Sequence, residues 1–297
     1  MDAAPAVGIA VTVRRILLSV LVCLWGARGF AGDNYAFIVS GASAGTPYSE
    51  KYDSWRMALT KTLTSNFGYP DDHVLSLSEA SREQIQQALR DLRTRVTKDD
   101  VLFVTLIGHG TDEKFNLAGP DMTATDWAAQ LKPIAGRIVF VDTTSSSFPF
   151  LRQLAAPGRI VITATDSTAQ QFETLFAEFF IKALAEPSAD SDKDGRVSIY
   201  EAFQYATANV RTWFDQHNQL PTERALLDDE GAARATFLQP RTVPANDPIA
   251  KRQAEIESAI ANLKARRSSL PPAAYDAEME RLLTELARLS AQQRGRP

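Results

Sequence analysis

Cysteine is almost absent from this 297-residue chain: the single one, Cys23, lies close to the N-terminus. Everything after it is free of disulfides, thiol nucleophiles and thiolate metal ligands. Histidine is nearly as scarce. His73, His109 and His217 are the only three, and no His-x-x-x-His spacing joins them, which argues against a zinc hydrolase. Positive charge is not concentrated anywhere in the central region, and the formal net charge is -4, so nucleic acid is not an expected partner. Long apolar runs are missing too. Ile16 to Trp25 is apolar over ten residues, short of the ~20 that a helix needs to span a bilayer.

That short run has the setting of a secretory leader. Arg14-Arg15 precedes it as a positive segment, and small residues follow it, with Gly29-Phe30-Ala31 as the expected cleavage site. Residues 1–31 therefore read as a signal peptide, with an uncleaved anchor as the alternative. Cys23 follows Val22 rather than a small residue, which argues against lipid attachment. A periplasmic or secreted protein is expected, with no stable membrane span once the leader is removed.

From residue 34 onward, strands and helices alternate. Asn34 to Ser40, His73 to Leu77, Val101 to Ile107, Arg137 to Val141 and Arg159 to Ala164 read as buried strands. Tyr48 to Phe67 places Trp55, Leu59, Leu63 and Phe67 on one helical face. Ser81 opens a helix with Gln84 placed for a capping box and Ile85, Leu89 and Leu92 as its core stripe. Asp112 to Pro120 reads as a loop or small hairpin, and Thr123 to Leu131 and Phe172 to Ala185 as further helices. The pattern predicts an α/β fold, a parallel-rich sheet with helices on both faces.

Two strands end in chemically notable residues. Val101 to Ile107 stops at Gly108-His109-Gly110, and Arg137 to Val141 stops at Asp142-Thr143-Thr144-Ser145-Ser146-Ser147. In open α/β sheets ligands bind at the C-terminal ends of strands. Histidine is the side chain best suited to proton transfer near neutral pH. His73 and His217 read as structural or surface residues, His217 as a helix cap.

An apolar strand before His-Gly and a second before an acidic residue, a small residue and a nucleophile resemble the caspase/legumain-like cysteine peptidases. The nearest branch is the exported bacterial legumain-like (C13-type) one, and the resemblance covers roughly residues 34–185. It implies a caspase-like sheet, with His109 as the base and residue 144 as the nucleophile. Here the chain departs from the family, because position 144 is threonine and position 145 is serine. A cysteine is partly thiolate at neutral pH, whereas a hydroxyl needs strong general-base activation and an oxyanion hole shaped for it. The expectation is a catalytically silent pseudopeptidase that binds a peptide or protein in its cleft. The alternatives are a peptidase or esterase using His109 with Ser145 or Thr144, and an unrelated α/β binding domain.

The most demanding motif follows. Asp190-Ser191-Asp192-Lys193-Asp194-Gly195-Arg196-Val197-Ser198-Ile199-Tyr200-Glu201 matches a twelve-residue EF-hand loop. Asp190, Asp192 and Asp194 supply carboxylates, Gly195 the sharp turn, Arg196 its backbone carbonyl, Ser198 a water-bridged position, and Glu201 a bidentate carboxylate. Hard oxygen ligands on such a turn favour Ca²⁺. Phe172 to Ala185 would be the entering helix and Ile199 to Asn218 the leaving one. The alternative is a solvated acidic turn capping that helix. Leu226 to Gly231 is a second acidic turn, too incomplete for a cation.

Domain boundaries follow: 1–31 signal peptide, 32–240 α/β domain, 241–248 linker and 249–297 helical hairpin. In the last, Ile249, Ile256, Ile260, Leu263 and Leu270 precede Pro271-Pro272, and Tyr275, Met279, Leu282, Leu286 and Leu289 follow at coiled-coil-like steps. Each stripe is short for a free coiled coil. It packs either within the hairpin or as a docking or dimerisation arm.

Overall fold

A computed structural model describes residues 32–43, 45–240, 248–265, 267 and 270–294. The segment expected to be a signal peptide, with its expected cleavage site, and residues 241–247 of the expected linker lie outside the described residues. In chain order the elements are β1 (Asn34–Ser40), α1 (Thr46–Lys61), β2 (Val74–Leu77), α2 (Arg82–Arg95), β3 (Val101–Ile107), β4 (Gly110–Thr111), β5 (Lys114–Phe115), β6 (Met122–Thr123), α3 (Ala124–Leu131), β7 (Arg137–Asp142), α4 (Phe148–Leu154), β8 (Arg159–Thr163), α5 (Phe176–Ala183), α6 (Ile199–Gln216), β9 (Leu226–Asp228), α7 (Pro248–Ala265) and α8 (Pro272–Arg294).

Six strands form one sheet in the order β2-β1-β3-β7-β8-β9. All pair in parallel except β9, which runs antiparallel to β8 at the edge. The continuous apolar runs follow from this arrangement, since alternate side chains enter two different cores. Phe103 and Ile107 of β3 join Ile38, Val139 and Val141 beneath α1, α5 and α6. Leu102, Val104 and Leu106 join Phe37, Ile138 and Phe140 beneath α2, α3 and α4. Among the described residues no helix is long and apolar enough to cross a membrane.

Local signals fix several boundaries. Ser81 accepts from the Gln84 backbone and Gln84 from the Ser81 backbone, so the capping box forms. Ile85, Leu89 and Leu92 are its buried stripe. Asp112 to Pro120 lies within a three-stranded antiparallel sheet, β4-β5-β6.

Other elements differ from expectation. The helix expected from Phe172 begins only at Phe176, because the Glu223 carboxylate captures the Leu175 and Phe176 N–H groups. After α5 a short 3₁₀ turn at Pro187–Ala189 separates helix from acidic loop, so the helix does not run directly into the loop. Proline has no N–H to continue a helical ladder. Leu226, read as the start of an acidic turn, instead opens the edge strand β9.

The C-terminal helices α7 and α8 form their own small core. Ile256, Leu263, Leu282 and Leu289 are buried in it, with Ile249, Ile260, Leu270, Tyr275, Met279 and Leu286 packed around them. All ten residues of the two stripes meet within the hairpin. Arg252 to Glu285, at 2.9 Å, adds an exposed ion pair across it.

Candidate functional site

β3 and β7 are neighbours, with Leu106 opposite Asp142 in register. Their C-terminal ends therefore leave the sheet side by side, which brings His109 next to the hydroxyl run. The Gly110 N–H donates to Ser145 Oγ at 3.2 Å, and Ser145 Oγ donates to the Gly110 carbonyl at 3.0 Å. Gly110 has to be glycine: a Cβ there would collide with the Ser145 carbonyl oxygen and lie 2.8 Å from Thr144 Oγ1.

The hydroxyls are turned inward. Thr144 is 0% exposed and Ser145 1%. Thr144 Oγ1 donates to Asp142 Oδ1 at 2.7 Å and to the Ser145 carbonyl at 3.0 Å. Ser146 holds a left-handed backbone, φ 55°, while its hydroxyl donates to the carbonyls of Thr168 and Gln170. Ser147 exchanges hydrogen bonds with Thr165. Among the described residues no hydrogen bond joins the His109 ring to Thr144 or Ser145. The run works as a staple between the ends of β7 and β8. Asp142 sits at its base, fully buried. Burial pushes its carboxyl up to about 7, against the pull of the Thr144 hydroxyl and N–H, and its Oδ2 has no partner.

His109 has other neighbours. It is half-buried, edge-on to Tyr48 at 5.0 Å and to Tyr52 at 5.7 Å between ring centres. Glu173 faces it from the loop after β8. That loop is docked on the hydroxyl run by Thr174 Oγ1, which donates to the Thr143 carbonyl. Burial depresses the imidazole below its ordinary value; Glu173 opposes this and Lys51 adds to it. Lys51 pairs with Glu173 Oε2 at 2.9 Å and lies over the Trp55 ring at 4.7 Å. Glu173 Oε1 and the Tyr52 hydroxyl are buried and face each other, the phenol as donor and the carboxylate as acceptor. The Tyr52 phenol is raised, first by burial and then by the Glu173 charge. Glu223 stands behind, its carboxyl pushed up to about 7 by burial despite the N–H groups it accepts. A half-buried imidazole beside a carboxylate can accept or share a proton, but among the described residues the ring makes no hydrogen bond to a hydroxyl.

The remaining histidines are structural. His73 stacks on Tyr35 at 4.1 Å. His217 ends α6, stacks on Trp213 at 3.9 Å and meets the Trp213 carbonyl through Nδ1.

The acidic loop is a second, separate site. One carboxylate oxygen each from Asp190, Asp192 and Asp194 lies within 4.8 Å of the others. Gly195 makes the turn at φ 89° and donates its N–H to Asp190 Oδ2. Asp194 N–H donates to Asp190 and Asp192, and Arg196 N–H to Asp194. Glu201 folds back into the loop, where Oε1 accepts from Ser191 and Asp192, while Oε2 accepts from Ser198. Ser198 and Glu201 form a capping box at the start of α6. The Arg196 side chain lies over Phe237 at 3.7 Å, with one guanidinium nitrogen 3.8 Å from Asp194 Oδ2. Three converging carboxylates and a fourth on the closing helix suit a hard divalent cation; the cluster alone does not select one metal.

No protein-family model matches the chain, and no curated protein matches it. The site thus rests on its geometry. Sequence reading located His109, the hydroxyl run and the acidic loop. It missed Tyr48, Tyr52, Lys51, Glu173 and Glu223 as a group, because they come from one helix and two loops far apart in the chain. The one available signal was a pair of tyrosines four apart at the start of the first helix.

Proposed function

We propose that this chain is an exported legumain/caspase-like domain that lacks the peptidase nucleophile, binds Ca²⁺ through its acidic loop, and acts by holding a peptide or protein segment at the His109 cleft. One observation carries the reading. Thr144, the residue at the nucleophile position, is wholly buried with its hydroxyl committed to Asp142 and Ser145. A hydroxyl in that state is not presented to a substrate, and His109 is not positioned to activate it. Two large apolar side chains on the loops that Glu223 links are exposed, Phe172 at 69% and Leu220 at 87%. Exposed large apolar groups beside a polar cleft suit a polypeptide ligand.

The test uses the purified chain from residue 32 with calcium present. It is offered a broad mixture of peptide and ester substrates, beside a His109→Ala variant made identically. No turnover attributable to His109 is the expected result. Turnover that His109→Ala abolishes would make the hydroxyl run a working nucleophile and end the pseudopeptidase reading. The calcium part is tested by melting in Ca²⁺ and in chelator. A rise with Ca²⁺ that Asp190→Ala removes is expected; equal melting in both would end that part. Export is tested by sequencing the N-terminus of the protein recovered outside the cytoplasm, with Gly32 expected as the first residue.

A further inference from the structure

We infer that a cavity at the β2 edge of the sheet binds the phosphate group of a small organic ester, with Arg56 and Lys61 as its cations. The cavity has a volume of about 330 Å³ and lies between the C-terminal half of α1 and β2. It shares no lining residue with the group around His109, so it is a site beyond the function proposed above.

Donors outnumber acceptors on its wall. The lining holds two cations and several hydroxyls, and no carboxylate. Arg56 is fixed in place: Nε and Nη2 donate to Asp53 Oδ1 at 3.2 and 2.9 Å, and Nη1 donates to Ser76 Oγ at 2.9 Å. Of the five N–H groups of a guanidinium these use three and leave two. Lys61 is exposed, and among the described residues it makes no ion pair and no side-chain hydrogen bond, so its ammonium is open. The Ser65 hydroxyl is likewise free, and the Ser76 hydroxyl accepts from Arg56 and keeps its own proton to donate. Thr60 and Thr64 differ, because their hydroxyls already donate to the Arg56 and Thr60 carbonyls. Asp53 offsets the Arg56 charge without lining the cavity, and Lys61 supplies the net positive charge, on a chain whose formal net charge is -4. Free donors on several sides, led by a guanidinium fork, match the three terminal oxygens of a phosphate monoester better than the two of a carboxylate.

The backbone is adapted at the same place. Lys61 is the last residue of α1, and Thr62–Asn66 form a single π turn in which the Phe67 N–H reaches back five residues to the Thr62 carbonyl. Such turns are rare and recur at functional sites. This one carries Thr64 and Ser65 to the cavity wall. On the opposite wall, strand alternation turns Ser76 toward α1 while Leu75 and Leu77 pack toward α2. Met57, 62% exposed, is the one large apolar side chain in the lining, and it offers a surface to the organic part of the ester.

The test titrates phenyl phosphate, inorganic phosphate and phenol into the protein from residue 32 by calorimetry. Low-salt, calcium-free buffer keeps a cation on the acidic loop from taking the phosphate. The same titrations are made with Lys61→Ala, Arg56→Lys and Ser65→Ala variants, and circular dichroism verifies that each is folded. Phenyl phosphate is expected to bind more tightly than inorganic phosphate, and phenol not to bind. Lys61→Ala, at an exposed position, is expected to weaken phenyl phosphate roughly tenfold, the loss of one charge-assisted contact. Arg56→Lys keeps the charge and loses the fork, and weakens it several-fold; Ser65→Ala weakens it about threefold. No binding of either phosphate, or binding of phenyl phosphate that Lys61→Ala and Arg56→Lys leave unchanged, overturns the site. Phenol binding as tightly as phenyl phosphate overturns the anion in favour of an apolar ligand. Inorganic phosphate binding as tightly as phenyl phosphate overturns the part assigned to Met57.

Discussion

At the acidic loop each of Asp190, Asp192, Asp194 and Glu201 accepts at least one backbone N–H from the same loop. At the other end of the sheet the reverse holds: Asp142 Oδ2 and Gln170 Nε2 are buried without a partner, and the Tyr52 hydroxyl and Glu173 Oε1 have only each other. The first region holds its carboxylates with its own backbone N–H groups. The second leaves polar groups incomplete, where a buried unpaired group costs roughly 1–3 kcal/mol. Self-sufficiency suits a structural clamp, and incompleteness suits recognition.

The strongest way to probe the contrast is pH. Asp142 and Glu223 both have folded values of about 7, well above those of an unfolded chain, so the native state binds protons that the unfolded state has released. Stability should therefore be highest below about pH 4 as far as these two groups are concerned, and fall as pH rises toward 7. The Asp142 contribution is on the order of 3–4 kcal/mol. Asp142→Asn should flatten much of this slope in urea titrations across that range, leaving the Glu223 share for Glu223→Gln to remove. An unchanged slope in both variants would mean that neither carboxylate is effectively buried.

At the loop the corresponding lever is the ion. Calcium at about a hundred times its dissociation constant should add about 2.7 kcal/mol, read as a concentration-dependent rise in melting temperature. A smaller effect is expected from Thr144→Val. It keeps the shape and deletes the hydroxyl that donates to Asp142, costing roughly 1–3 kcal/mol and steepening the pH dependence. A neutral outcome would mean that the hydroxyl run is not a staple. The smallest expected effect is the loss of a cap. Ser198→Ala and Ser81→Ala each remove half of a capping box, at about 1 kcal/mol without metal. With calcium present only Ser198→Ala should cost more, because it also loosens Glu201. Identical losses in both conditions would sever the cap from the ion.

Much of the scaffold was legible from pattern alone. Val101 to Ile107 is a strand at the expected residues, the Ser81–Gln84 box forms, and both stripes of the C-terminal hairpin meet. These are local signals, set by side-chain period and capping chemistry. The misses are non-local. Leu175 and Phe176 have their N–H groups taken by Glu223, 48 and 47 residues away, so Phe172 to Leu175 stay outside the helix that their apolarity suggested. Helix α4 follows the hydroxyl run so closely that the run masked it. The run itself was conspicuous in sequence as a candidate nucleophile. That its hydroxyls face inward depends on Asp142, Gly110 and the loop at residues 165–170, which no short window contains.

A small bridge near the end of the domain has a mechanical consequence. Ser198, at the exit of the acidic loop, pairs with Phe237, and the Ile199 N–H donates to the Thr236 carbonyl. One residue further, the Leu238 carbonyl accepts from Asn34 at the start of β1 and from the Tyr69 hydroxyl. The chain's way into the sheet and its way out toward the hairpin are thus fastened at one corner. Residues 236–238 thus tie the acidic loop to the start of β1 without passing through the edge strand β9.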